Sequence, residues 1–133
     1  MKDTKLVLLI KELSKSPSDM RKLRGYLNYS CTKQNSHQQI LFEYFYALKG
    51  NFKDDFLVKE VVYKHLFPKE PEFKNQQLRD LTSSLLAKIN DYLLLEEVKQ
   101  TKEIKGQLLA RAYKKRNLEK LHDKTLRLSL IHI

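Results

Sequence analysis

Lysine and arginine side chains near the carboxyl end of the sequence have the spacing that most resembles a binding surface. Residues 99–133 contain ten Lys or Arg against three acidic residues, which accounts for +7 of the net charge of +10. Lys120, Lys124 and Arg127 are spaced at 0, +4 and +7, so they share one face of a helix. Lys114, Lys115 and Arg116 lie just before them.

Such a row can contact successive phosphates, so these cations are candidates for nucleic-acid binding, with a strong dependence on salt. The other interpretation is a solvated helix face, in which Asp123 and Arg127 form an ordinary i, i+4 pair. We favour the solvated face and keep nucleic-acid binding as the alternative.

Residue types that carry out catalysis or bind metals do not converge in this sequence. The four histidines, at 37, 65, 122 and 132, are never four residues apart, and no Cys–His spacing suggests zinc. No glycine-rich phosphate loop and no nucleophile elbow is present. We therefore expect no enzyme, no cofactor and no metal site.

The composition predicts one helical domain. The 133 residues suffice for a proper core, and they include only three glycines and three prolines, which is few for a protein built from strands and tight turns. Cys31 is the lone cysteine, so no internal disulfide can form. The first apolar run, Leu6–Ile10, is too short for a signal peptide or a membrane span. We expect a cytoplasmic protein that does not contact the membrane.

Hydrophobic periodicity predicts an all-α fold of six or seven helices. Leucine or isoleucine at 78, 81, 85, 89 and 93 indicates a long central helix over about 75–97. Ser16, Pro17 and Asp19 have the pattern of a helix start, and Gly50 suits a helix end. We also predict helices over about 3–13, 17–30, 36–49 and 54–67. One domain, 1–133, would then consist of a helical core, 1–97, and a basic helical hairpin, 98–133, with its turn near Arg116.

Three segments resemble the N-terminal region of long, mostly α-helical bacterial proteins without assigned function. They are YKHLFP (63–68), LRDLTSSLLAKINDYL (78–93) and RNLEKLHDKTL (116–126). In that group a phenylalanine-proline turn precedes a long leucine-rich helix, and repeat-like helical hairpins follow. The resemblance implies that this chain is the first domain, or a fragment, of a longer protein.

A second segment, LFPKEPEFKNQQLRDLTSSLLAKI (66–89), is similar to the winged-helix region of some bacterial transcriptional activators. There a leucine-tryptophan-proline turn leads into an arginine-bearing recognition helix. Phe67 stands where that tryptophan would be, and the resemblance implies that Arg79 would contact the DNA groove. A wing also requires a β-hairpin after the helix, whereas residues 94–105 have neither a turn dipeptide nor alternating β-branched residues.

Apolar residues in the last segment of the sequence predict an association. Leu118, Leu121 and Leu128 can face the preceding helix of the hairpin, but other large aliphatic side chains fall largely on other faces. These are Leu126, Leu130, Ile131 and Ile133. We expect either a following helix of a longer chain or a second copy in a homodimer to cover them.

Two functions remain from the sequence alone. The favoured hypothesis is a non-catalytic interaction or scaffold module that binds a protein partner or further helices of its own chain. The alternative is a nucleic-acid-binding regulatory domain that uses Arg79 and the basic residues of 114–127.

Overall fold

A computed structural model describes residues 1, 3–30 and 36–116 of the chain. The described residues form six α-helices and one 3-10 turn, with no strand among them, so the predicted all-α class is confirmed. The helices are α1 (Lys5–Leu13), α2 (Pro17–Ser30), α3 (Ser36–Ala47), α4 (Lys59–Leu66), α5 (Asn75–Gln100) and α6 (Lys102–Lys115), and the 3-10 turn is Asp54–Leu57.

The chain divides into two compact units, Met1–Asn90 and Asp91–Ile133. The boundary lies inside α5, whereas the sequence suggests a division after Glu97. In the first unit α1 packs on α2, α2 on α3 and α3 on α4. In the second unit the described residues are the end of α5 and all of α6.

The helix boundaries follow from local chemistry that the sequence partly predicts. Pro17 is the first residue of α2, and the Asp19 N–H donates to Ser16 Oγ at 3.3 Å, as expected for a capped start. The start of α1 is capped in the same way, since the Val7 N–H donates to Thr4 Oγ1 at 3.4 Å. Helix α3 ends at Ala47, slightly before the predicted end at about 49, and Lys49 and Gly50 then both have a positive φ, +50° and +83°. Gly50 thus has the left-handed conformation expected of a glycine near a helix end.

Leucine and phenylalanine side chains of successive helices form the core of the first unit. Met20, Leu23 and Leu27 of α2 are all buried, as their spacing of three and four predicts. Phe42 and Phe45 of α3 are the largest side chains that are fully buried. Several of the aromatic residues are therefore core residues.

The long helix α5 confirms the strongest prediction from the sequence. Its 26 residues correspond to about 39 Å at 1.5 Å per residue. Leu78, Leu85 and Ile89, from the predicted apolar stripe, are buried in the first unit, and the other members of the stripe are only partly covered. Leu93, the last member of the stripe, is only partly covered and its neighbour Leu94 is 65% exposed, so burial does not continue to the end of the helix.

The single helix predicted over 54–67 is wrong in detail, because this segment forms two elements. A 3-10 turn, Asp54–Leu57, is followed by Val58 in an extended conformation, and α4 starts only at Lys59. The division places Leu57 and Val62 in the core while Phe56 and Val61 stay exposed. In an uninterrupted helix, successive side chains would be rotated by a fixed angle of about 100° per residue. Because the helix is interrupted at Val58, side chains before and after it need not follow that rotation.

The predicted hairpin is only partly within the described residues. Its first helix is present as α6, which ends at Lys115 with the Arg116 N–H donating to the Tyr113 carbonyl at 3.1 Å. The expected helix after Arg116 lies outside the described residues, as do Cys31 and the aliphatic residues Leu126, Leu130, Ile131 and Ile133.

Candidate interaction surfaces

Helix α6 presents aliphatic and basic side chains together on its exposed surface. Ile104, Leu108 and Leu109 are between 43% and 44% exposed. Ile104 and Leu108 share one stripe of the helix with the cations Arg111 and Lys115. The adjoining stripe holds Leu109 between Lys105 and Arg116. We call Ile104, Lys105, Leu108, Leu109, Arg111, Lys115 and Arg116 the α6 surface.

The burial pattern of α6 shows which of its side chains are covered. Helical spacing places Ile104, Leu108 and Leu109 close together on α6, and all three are partly exposed, whereas the described α6 buries only Ala110, at 1% exposed. The predicted second helix of the hairpin lies outside the described residues. Periodicity identifies residues that share a face, but it carries no information on whether other residues cover that face. The exposed aliphatic side chains are therefore a feature that only the structure provides.

The cations of α6 are solvated and outnumber its acidic residues. The helix contains five Lys or Arg and one acidic residue, Glu103. Lys114, Lys115 and Arg116 are all exposed at its carboxyl end, where cations also stabilise the helix dipole. The Arg116 side chain donates to the Ala112 carbonyl at 3.0 Å, so this guanidinium is held back against its own helix. Lys120, Lys124 and Arg127 lie outside the described residues.

Arg79, the predicted DNA-contacting residue, lies on the exposed side of α5 within the first unit. It lines a pocket of about 270 Å³ together with Lys59 of α4 and the amino-terminal residue Met1. The residues after Arg79 remain helical to Gln100, and α6 begins at Lys102. No β-hairpin therefore follows Arg79 within the described part of the chain.

A second open feature of the first unit is a shallow groove of about 830 Å³ between α2, α3 and α4. Its rim carries an ion pair in which Arg24 Nε donates to Glu43 Oε1 at 2.8 Å and Arg24 Nη2 donates to Glu43 Oε2 at 3.0 Å. The same guanidinium lies 4.7 Å from the centre of the Tyr46 ring. The hydrogen bond and charge of Glu43 raise the pKa of Arg24, so this cation stays charged and already has its partner.

The floor of the groove is apolar and aromatic. The Tyr44 O–H donates to the Phe56 carbonyl at 2.6 Å, and the Tyr44 ring lies 4.9 Å from the His65 ring. Burial of the phenol raises the pKa of Tyr44 above its usual range. Ile40 and Phe56 are 38% and 40% exposed at the edges. Sequence reasoning missed this groove, because Arg24 and Glu43 lie on different helices and no local pattern links them.

Neither a metal site nor a membrane span is present in the described residues. No group of three or more His, Cys, Asp or Glu side chains within them could hold a metal ion. None of their helices is long and apolar enough to cross a membrane. Comparison with protein families, curated proteins and solved structures finds no match to this chain.

Proposed function

We propose that this chain is a non-catalytic interaction module that binds a protein partner, or further helices of its own chain, through the α6 surface. The exposure of Ile104, Leu108 and Leu109 within two turns of one helix carries this proposal. Full burial of such a side chain is worth about 1.5–3 kcal/mol, so covering the exposed half of three side chains contributes about 3 kcal/mol. That gain is a substantial fraction of a micromolar binding energy of about 8 kcal/mol.

The composition of the α6 surface indicates the chemistry of its partner. Aliphatic side chains flanked by Lys105, Arg111 and Lys115 are complementary to an amphipathic helix with a leucine-type stripe and acidic flanks. The charges would steer the encounter and select the partner, whereas the aliphatic contacts would supply most of the affinity. A helix of this chemistry can belong to another protein or to a longer form of the same chain.

A pull-down from the source cell with a matched pair of variants tests the proposal. Leu108→Glu places a charge in the centre of the α6 surface, and Leu8→Glu places the same charge on α1, where Leu8 is 51% exposed. We expect a bound protein that remains after nuclease treatment. Leu108→Glu should reduce the amount captured at least about tenfold, and Leu8→Glu should leave it unchanged. Equal loss in both variants, or retention in both, would contradict a role for the α6 surface.

The alternative function is nucleic-acid binding, and the exposure of Arg79 and of Lys114, Lys115 and Arg116 supports it. Replacing Lys114, Lys115 and Arg116 with glutamine should then weaken binding to all sequences alike. The slope of log K against log salt should decrease by about 0.9 for each phosphate of duplex DNA that the variant no longer neutralises. A purified protein whose 260/280 nm ratio shows no nucleic acid, and a slope unchanged in the triple variant, would count against this alternative.

A further inference from the structure

We propose that the pocket between α4 and α5 is a binding site for a small phosphate dianion, either inorganic phosphate or a phosphate monoester. Two cationic side chains on separate helices of the first unit line it, Lys59 of α4 and Arg79 of α5, together with Met1 and Thr4 of the segment before α1. Its remaining lining includes Asn75, Thr82 and Ser83, and no carboxylate is among the lining residues. This inference does not depend on the α6 surface.

The charges in this pocket are not neutralised by the described residues. Neither Lys59 nor Arg79 forms an ion pair or a side-chain hydrogen bond with them, whereas Arg24 of the same unit is fully engaged by Glu43. A cluster of like charges without a counter-ion repels itself, and an anion would relieve that repulsion. The uncompensated charge therefore points to an anionic ligand.

The donors around the pocket suit a tetrahedral oxyanion. The Met1 ammonium donates to the Leu57 carbonyl at 2.8 Å, so the segment before α1 is held against the 3-10 turn. Arg79 provides a planar fork that can donate to two phosphate oxygens, and Lys59 provides a mobile point charge. The side chains of Asn75 and Ser83 make no hydrogen bond with the described residues, so their donors are also free.

The helix that carries most of these donors is anchored in the core, and the pocket is large enough for a phosphate group. Leu78, between Asn75 and Arg79 on α5, also lines the pocket and is 2% exposed, which anchors that turn of the helix in the core. The pocket volume of about 270 Å³ is many times the roughly 30 Å³ that one water molecule occupies in the liquid. A phosphate group with part of its hydration shell therefore fits, and a small organic substituent can extend to solvent.

Titration of the untagged full chain, observed as ¹H–¹⁵N chemical shifts, tests this site. A tag before Met1 would alter the hydrogen bond from the Met1 amino group to the Leu57 carbonyl, so the chain is used without one. We expect inorganic phosphate and glycerol 3-phosphate to produce saturable shifts at the amides of residues 59 and 75–83, at an ionic strength held constant with sodium chloride. Shifts with glycerol 3-phosphate alone would identify a monoester site, and equal shifts with both would identify a site for the phosphate group itself.

Variants on the same two helices provide the control. The double variant Lys59→Gln, Arg79→Gln should weaken phosphate binding by at least about tenfold, because it removes two charge-assisted hydrogen-bond donors. Lys64→Gln removes an exposed cation from α4 away from the pocket, and it should leave the affinity unchanged. Shifts that do not saturate, that acetate or chloride reproduce, or that Lys64→Gln reduces equally would overturn the proposal. Binding of a duplex oligonucleotide without any binding of phosphate would overturn it in favour of a nucleic-acid contact.

Discussion

Leu85→Ala is the substitution whose cost follows most directly from the structure. Leu85 lies on α5 in the first unit and is 0% exposed. The substitution removes three carbon groups, which at about 0.8 kcal/mol each corresponds to a transfer cost of about 2.4 kcal/mol. The cavity left in a close-packed core adds to this value, so we expect a loss of about 2–5 kcal/mol in the free energy of unfolding.

Urea unfolding of Leu85→Ala and of a matched leucine variant measures this cost. Leu8→Ala makes the same chemical change in the same unit at a side chain that is 51% exposed, and we expect it to cost about 1 kcal/mol. Both changes should shift the midpoint with little change in the slope m, because the surface exposed on unfolding is nearly the same. A loss below about 1 kcal/mol for Leu85→Ala, or equal losses for the two variants, would refute the assignment of this face of α5 to the core.

Three further substitutions should change the free energy of unfolding in a stated direction. Gly25→Ala, where a Cβ would meet nothing within 4 Å in α2, should raise the free energy of unfolding by about 0.5–1 kcal/mol. Gly50→Ala, at a φ of +83°, should lower the free energy of unfolding by about 1–2 kcal/mol. Urea unfolding measures both changes, and two changes of the same sign would contradict the assigned backbone conformations. Because burial raises the pKa of Tyr44 in the folded state, its contribution is fully present below the ordinary tyrosine pKa of about 10 and is lost as the pH rises through the higher folded value. Tyr44→Phe should therefore lose stability less steeply than the parent chain above about pH 10, and parallel curves of unfolding free energy against pH would exclude this role.

The helices were predictable from the sequence where periodicity or capping residues within a few positions determine them. Leucine at 78 and 85 and isoleucine at 89 recur at helical spacing, and all three are buried in α5. The start of α2 follows from Ser16 and Pro17 by the chemistry of caps alone. These features depend on residues a few positions apart, so periodicity and capping rules suffice to find them.

The candidate sites were less predictable because they depend on residues far apart in the sequence. The resemblance to a winged-helix region implies that Arg79 is a nucleic-acid contact, but its pocket also includes Met1 and Lys59, which only folding brings to the same place. The ion pair of Arg24 and Glu43 similarly joins α2 to α3. On α6 the leucine spacing correctly predicts a helix but does not give the exposure of Leu108, because exposure depends on what covers the helix.

The two functions considered for α6 place opposite demands on its side chains. A nucleic-acid surface requires the cations and leaves Ile104, Leu108 and Leu109 in water, where their exposed area stabilises nothing. A protein-binding surface uses both kinds of side chain, since the aliphatic groups supply affinity and the cations select an acidic partner. Added salt weakens contacts with phosphates steeply, whereas it leaves aliphatic contacts nearly unchanged. The mixed composition of the α6 surface therefore favours a protein partner, or further helices of the same chain, over nucleic acid, because either of these would cover the three exposed aliphatic side chains.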